Sequence, residues 1–116
     1  MEKIKVLFHV SENEIWQKTI ANITNYFKDV EENTVHIEVV ANAGAVASYF
    51  ANQDRPQLLQ QMEALAQRGV DFTACRNALS AHHLDEQSLP SFVRVVSGGI
   101  TEIVNRQRKG YLYIKP

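Results

Sequence analysis

The sequence predicts an α/β fold, a mostly parallel sheet with helices on both faces. Three observations carry this. Short strand-like segments alternate with segments whose apolar residues recur every three or four positions, and the joins are brief. Runs such as Lys5-Val6-Leu7-Phe8 and Val93-Arg94-Val95-Val96 are nearly continuous in apolar residues, as a sheet covered on both sides requires. Finally, 116 residues with 45% hydrophobic and 22% charged side chains suit a single globular domain over residues 1–116.

The first strand is expected at residues 4–10, where β-branched and aromatic residues dominate. Ser11 with Glu14 three positions later fits a capping box, in which each side chain satisfies an amide at a helix start. Trp16, Ile20, Ile23 and Phe27 follow at spacings that put them on one helical face, and Lys28 suits the negative end of the helix dipole. Residues 34–41 read as a second strand. Asn42-Ala43-Gly44 then turns into a short helix carrying Val46, Tyr49 and Phe50. Asn52-Gln53-Asp54 is expected to break that helix and offer a new cap, with Pro56 in the first turn of the next helix. Leu58, Met62, Leu65 and Ala66 form that helix's stripe, and Gly69 stands where a C-terminal cap belongs.

Residues 70–75 read as a third strand. Residues 76–89 are mixed, with a short helix expected at 85–89 and ended by Pro90. A fourth strand at 92–96 leads through Ser97-Gly98-Gly99 into a helix bearing Ile100, Ile103 and Val104, closed by Gly110. Residues 111–114 read as the last strand.

Composition excludes several functions. Twelve Lys and Arg against thirteen Asp and Glu leave a net charge of −1, not the basic field that a nucleic-acid binder needs. The single cysteine, Cys75, rules out an intrachain disulfide, a C-x-x-C pair and a cysteine-based zinc site. No metal or cofactor is expected. The apolar run at the N-terminus is too short for a signal peptide, and no stretch approaches the ~20 apolar residues of a membrane span. A cytoplasmic protein is the expectation, where a free thiol stays reduced.

Ligands of an open parallel sheet gather beyond the carboxyl ends of its strands. The residues expected there are His9 and Ser11, Asn42, Cys75 with Arg76 and Asn77, and Ser97 with Gly98 and Gly99. Cys75 is the candidate catalytic residue; the others are candidate binding residues. A thiolate is the reactive form of cysteine, and a helix start or a cation favours it. The plainer reading of Cys75 is a small buried hydrophobe. His9 reads either as a base or as a structural histidine bonded to backbone. His82-His83 reads as a solvated loop, and Ser97-Gly98-Gly99 as a tight turn or an anion-binding helix start. Neither G-x-G-x-x-G nor a Walker A sequence occurs, and no Ser-His-Asp set or carboxylate pair can be argued.

Several segments together resemble the DsrE/DsrF-like (YchN-like) proteins. They are Lys5-Val6-Leu7-Phe8-His9-Val10-Ser11 leading to Trp16, Val35-His36-Ile37-Glu38-Val39-Val40-Ala41-Asn42, Gly69 through Leu79, and Val95-Val96-Ser97-Gly98-Gly99 through Pro116. The resemblance implies a three-layer α/β/α sandwich around a five-stranded, mainly parallel sheet. It also implies self-association as trimers or hexamers, and a cysteine that carries sulfur as a persulfide in a relay between proteins. The pattern Ala-Cys-x-Asn-Thr-Leu is common in this branch of the family. Here it reads Ala74-Cys75-Arg76-Asn77-Ala78-Leu79, with alanine in place of threonine.

The resulting expectation is a sulfur carrier. Cys75 would hold sulfane sulfur, Arg76 and helix-start amides would stabilise the anion, and His9 or Asn77 would orient it. Donor and acceptor would be proteins. The alternative is a non-catalytic oligomeric module that binds a small ligand or a protein at the same edge. A thiol redox sensor working through an intermolecular disulfide is a third reading.

Overall fold

Strands and helices alternate through the computed structural model, which describes residues 2–50 and 55–116. In order they are β1 (Ile4–Val10), α1 (Trp16–Asp29), β2 (Val35–Ala41), α2 (Leu58–Gln67), β3 (Asp71–Cys75), α3 (Arg76–Ala81), β4 (Val93–Val96), α4 (Gly99–Arg108) and β5 (Leu112–Ile114). The sheet order is β4-β3-β2-β1-β5, and every pairing is parallel. Parallel pairing puts all carboxyl ends on one edge. There Val10 lies level with Ala41, Ala41 with Ala74, and Cys75 with Val96.

Alternation along the strands divides the core. Val6, Phe8 and Val10 face one way with Ile37, Val39, Phe72 and Ala74, and are covered by Trp16, Ile23, Leu58, Met62 and Leu79 from α1, α2 and α3. Leu7 and Val40 face the other way and pack with Ile103 of α4 and Tyr111. The result is a three-layer α/β/α sandwich. Trp16 anchors the larger layer. It is wholly buried, donates its indole N–H to the Ala45 carbonyl at 2.9 Å, and stacks at a tilt on Tyr49 and Phe72.

Three expectations about local structure need correction. The Ser11–Glu14 capping box does not form. The chain makes a 3-10 turn at Asn13–Ile15, and α1 begins at Trp16 with no side-chain cap. Ser11 is too far back to reach the helix amides, and its hydroxyl instead meets His9 and Lys115. The short helix expected at 85–89 is one 3-10 turn, Glu86–Ser88, whose Gln87 amide donates to Asp85. The α-helix of that region is α3, starting directly after β3. It is six residues long and buries only Ala78 and Leu79, so it shows no readable period. The helix after Asn42 is a tighter 3-10 run over Ala43–Tyr49.

The expected break and cap at Asn52-Gln53-Asp54 lie outside the described residues. Pro56 sits in the turn before α2. Gly69 ends that helix with φ near +100°, a conformation in which a side chain would be strained. Among the described residues no helix is long and apolar enough to cross a membrane.

Candidate functional site

Cys75 is both the last residue of β3 and the residue that caps α3. Its backbone is still extended, so the chain turns from strand to helix on the thiol-bearing residue. The side chain is 6% exposed, and it borders a cavity of about 360 Å³ at the carboxyl edge of the sheet. Asn42, Asn77, Ala78 and His82 line this cavity together with Gly98, Gly99 and Thr101. Five of the expected site residues therefore meet here: Cys75, Asn42, Asn77, Gly98 and Gly99. His82, expected in a solvated loop, joins them because α3 carries it back to the rim.

The start of α4 forms one wall. Gly98 precedes the helix with an extended backbone and supplies no side-chain cap. Its carbonyl accepts from the Glu102 amide, while the amides of the first turn have no intrahelical partner. Such a terminus favours negative charge. Gly99 is required by close approach, since a Cβ there would lie 2.9 Å from Cβ of Asn42. The helix start and the Asn42 side chain therefore meet with no room for a methyl group.

His9 and Ser11 do not line the cavity; they stand behind Asn42. The His9 ring is 8% exposed and uses both nitrogens. Nδ1 lies 2.6 Å from the Tyr113 hydroxyl and Nε2 lies 3.0 Å from Asn42 Oδ1, with Ser11 Oγ farther off at 3.4 Å. Lys115 donates to the same Ser11 hydroxyl at 3.1 Å. Burial holds the His9 pKa below the ordinary 6.5; the bond to Asn42 opposes this, and Lys115 reinforces it. The partners of His9 are side chains, not the backbone that the structural reading expected. Tyr113 went unnoticed in the sequence because its partner lies 104 positions away.

Arg76 also falls outside the cavity. Its guanidinium pairs with Glu86, Nε to Oε2 at 2.9 Å and Nη2 to Oε1 at 3.2 Å. Ser97 is exposed at the end of β4. Among the described residues no three or more His, Cys, Asp and Glu side chains are gathered as a metal would require.

Beneath α4 lies a cluster that the sequence did not reveal. Glu38 of β2 is wholly buried. Arg106 Nε stands 2.9 Å from Glu38 Oε1 and 2.9 Å from Glu102 Oε2, and Arg94 Nη2 reaches Asp71 at 2.8 Å, Glu102 at 3.5 Å and Glu38 at 3.7 Å. Arg106 Nε carries one hydrogen, and it goes to Glu102. Both Glu38 oxygens are then left without a donor. A neutral Glu38 resolves this by donating to Glu102. Burial, the bond to Glu102 and its charge push the Glu38 pKa up to about 8. The same shared proton, with Arg106, draws Glu102 down to about 2. Two carboxyl groups are thus paired, but they border none of the described cavities. They bind α4 to the sheet.

A larger cavity, about 490 Å³, lies between α1 and β5, lined by Val6, Phe8, Tyr26, Leu112 and Ile114 among others. It holds no thiol or imidazole, and it shares no lining residue with the Cys75 cavity.

The comparisons with known proteins bear on the whole chain. The model of the DsrE/DsrF-like family matches residues 5–116. The chain belongs to the DsrE/DsrF-like family. A solved structure of a Methanobacterium thermoautotrophicum protein of unknown function, MTH1491, is 34% identical with a TM-score of 0.87, and the match covers 98% of this chain and 100% of that one. The YchN protein of E. coli matches in fold at 14% identity and a TM-score of 0.74, over 98% of this chain and 100% of its own. No curated protein matches. The DsrE-like fold accounts for Cys75 standing at a strand end; the chemistry at that edge rests on the residues described above.

Proposed function

We propose that this DsrE-like protein carries sulfane sulfur as a persulfide on Cys75 and passes it to a protein partner. The observation that carries the reading is the cavity at the sheet edge. A thiol opens there beside the uncapped start of α4, with the Asn42 and Asn77 carboxamides on the same walls. All of these groups can donate hydrogen bonds to an anionic sulfur. Thr101 brings a hydroxyl to this wall, where Ala78 has none to offer.

In the loading step the Cys75 thiolate attacks the outer sulfur of a donor persulfide, R–S–SH. A new S–S bond forms on Cys75, the donor's S–S bond breaks, and R–S leaves as a thiolate that takes up the proton. In the unloading step an acceptor thiolate attacks the outer sulfur and the Cys75 thiolate leaves. The donor is reduced as Cys75 is oxidised, so no outside oxidant is needed. Arg76 is committed to Glu86, so the donors are assigned to α4 and the two asparagines.

The supporting test is intact-mass measurement after incubation with inorganic polysulfide. One added sulfur, absent in Cys75→Ser, supports the carrier. No gain where a control carrier loads overturns it. The low exposure of Cys75 favours a second reading, in which the thiol is only the wall of a binding site; there Cys75→Ser keeps its partner. A homo-oligomer belongs to the proposal, since Ile100, Val104, Leu112 and Ile114 are apolar and exposed. So does a reducing, cytoplasmic setting.

A further inference from the structure

The hydrogen bonds around His9 have a direction. Asn42 Oδ1 can only accept, so the proton of the 3.0 Å bond sits on His9 Nε2. A neutral ring with its proton on Nε2 has a bare Nδ1, which must accept from Tyr113 Oη–H across 2.6 Å. The order is therefore Tyr113 to His9 to Asn42. It turns the Asn42 oxygen toward His9 and the NH2 group away from it, toward the start of α4. A Cβ on Gly99 would sit 3.4 Å from Asn42 Nδ2, and both residues line the Cys75 cavity. The Asn42 backbone is held as well, its amide on Val10 and its carbonyl under the Ala45 amide. Among the described residues Nδ2 donates to no protein acceptor, so its protons remain for a ligand.

We infer that His9 is a positioning residue for the Cys75 cavity, orienting the Asn42 carboxamide so that its NH2 group donates to an anionic sulfur species, with Tyr113 fixing the imidazole tautomer. The inference rests on the reading of this cavity as the persulfide site, and it adds a ligand-binding role for Asn42 and an indirect one for His9 and Tyr113. The reversed amide would present an oxygen to the anion and repel it. Lys115 and Tyr113 are the charged or titratable groups nearest the ring, and neither substitutes for its Nε2–H.

The test uses two readouts on the full chain. The first is Cys75 persulfide retained after loading with inorganic polysulfide. The second is the ratio of Cys75 alkylation rates by iodoacetate and iodoacetamide, an anion and its neutral analogue, which needs no persulfide. Loss of one hydrogen bond to a charged group corresponds to roughly tenfold. His9→Ala and Asn42→Ala should each lower the iodoacetate preference by about that factor, and the double variant should be no worse than Asn42→Ala alone. His9→Gln keeps a donor for Asn42 Oδ1 and should restore most of the preference. Tyr113→Phe, at a half-exposed position, should lower it several-fold, and it covers the case in which His9→Ala fails to fold. A preference unmoved by Tyr113→Phe and His9→Ala, or effects of His9→Ala and Asn42→Ala that simply add, overturns the positioning role. If the ratios follow this pattern but no persulfide forms, the positioning stands and the carrier reading falls.

Discussion

Replacing Glu38 with glutamine tests the buried carboxyl pair. At neutral pH the neutral Glu38 donates to Glu102, and a glutamine amide can make the same bond, so the variant should match the wild type in stability at about pH 4, where Glu38 is protonated folded and unfolded alike. The two proteins then diverge. Unfolded, Glu38 ionises near its ordinary 4.5; folded, near 8. Between these values the folded state holds a proton that the unfolded state lacks. Stability contributed by this group is complete below about pH 4.5, and it is lost by about 1.4 kcal/mol per pH unit as pH rises toward 8. Glutamine has no proton to lose. The stability difference, Glu38→Gln minus wild type, should therefore grow by up to roughly 3 kcal/mol between about pH 5.5 and pH 8. Burial depresses His9 and His36, which bends both curves alike below about 6.5 and cancels in the difference. Urea unfolding followed by the fluorescence of Trp16, the single and fully buried tryptophan, measures this directly. Parallel curves across the whole range would refute a protonated Glu38.

Three further outcomes are expected. Gly99→Ala forces a methyl against Asn42 Cβ at 2.9 Å, where neither backbone can easily yield; it should cost about 1–3 kcal/mol in the same unfolding assay and alter Cys75 alkylation. Arg76→Ala removes a solvated ion pair with Glu86 and should change the rate of polysulfide loading by less than about twofold; a large loss would return Arg76 to the site. Leu112→Lys places a charge on the exposed edge strand β5, and sedimentation should show a smaller assembly than wild type if that edge joins copies; an unchanged assembly moves the interface elsewhere.

Much of the fold is legible in the sequence because strand and helix periods are local. Trp16, Ile20, Ile23 and Phe27 repeat within one helix, and short apolar runs separated by helices leave a parallel sheet as the economical arrangement. The misread places are short. A six-residue α3 and a 3-10 turn at 86–88 contain too few turns for a period to show, and the capping signature at Ser11 was claimed by tertiary partners. The site was partly legible for a topological reason: a parallel sheet sends Asn42, Cys75 and Gly99 to one edge, whatever their side chains do next.

By itself, then, the sequence determined the alternating elements, the single thiol at the end of the third strand, and the glycine-bearing start of the last helix. The tertiary structure decided which of these groups meet. It set Asn42 against Gly99, withdrew Arg76 to Glu86, brought His82 to the rim, and closed Tyr113 onto His9 across most of the chain. It also buried Glu38 beneath Glu102 and Arg106, where too few hydrogens are available for every oxygen. Periodicity is a property of neighbours along the chain. Hydrogen-bond direction and the protonation of a buried acid depend on neighbours in space, and those exist only once the layers have packed.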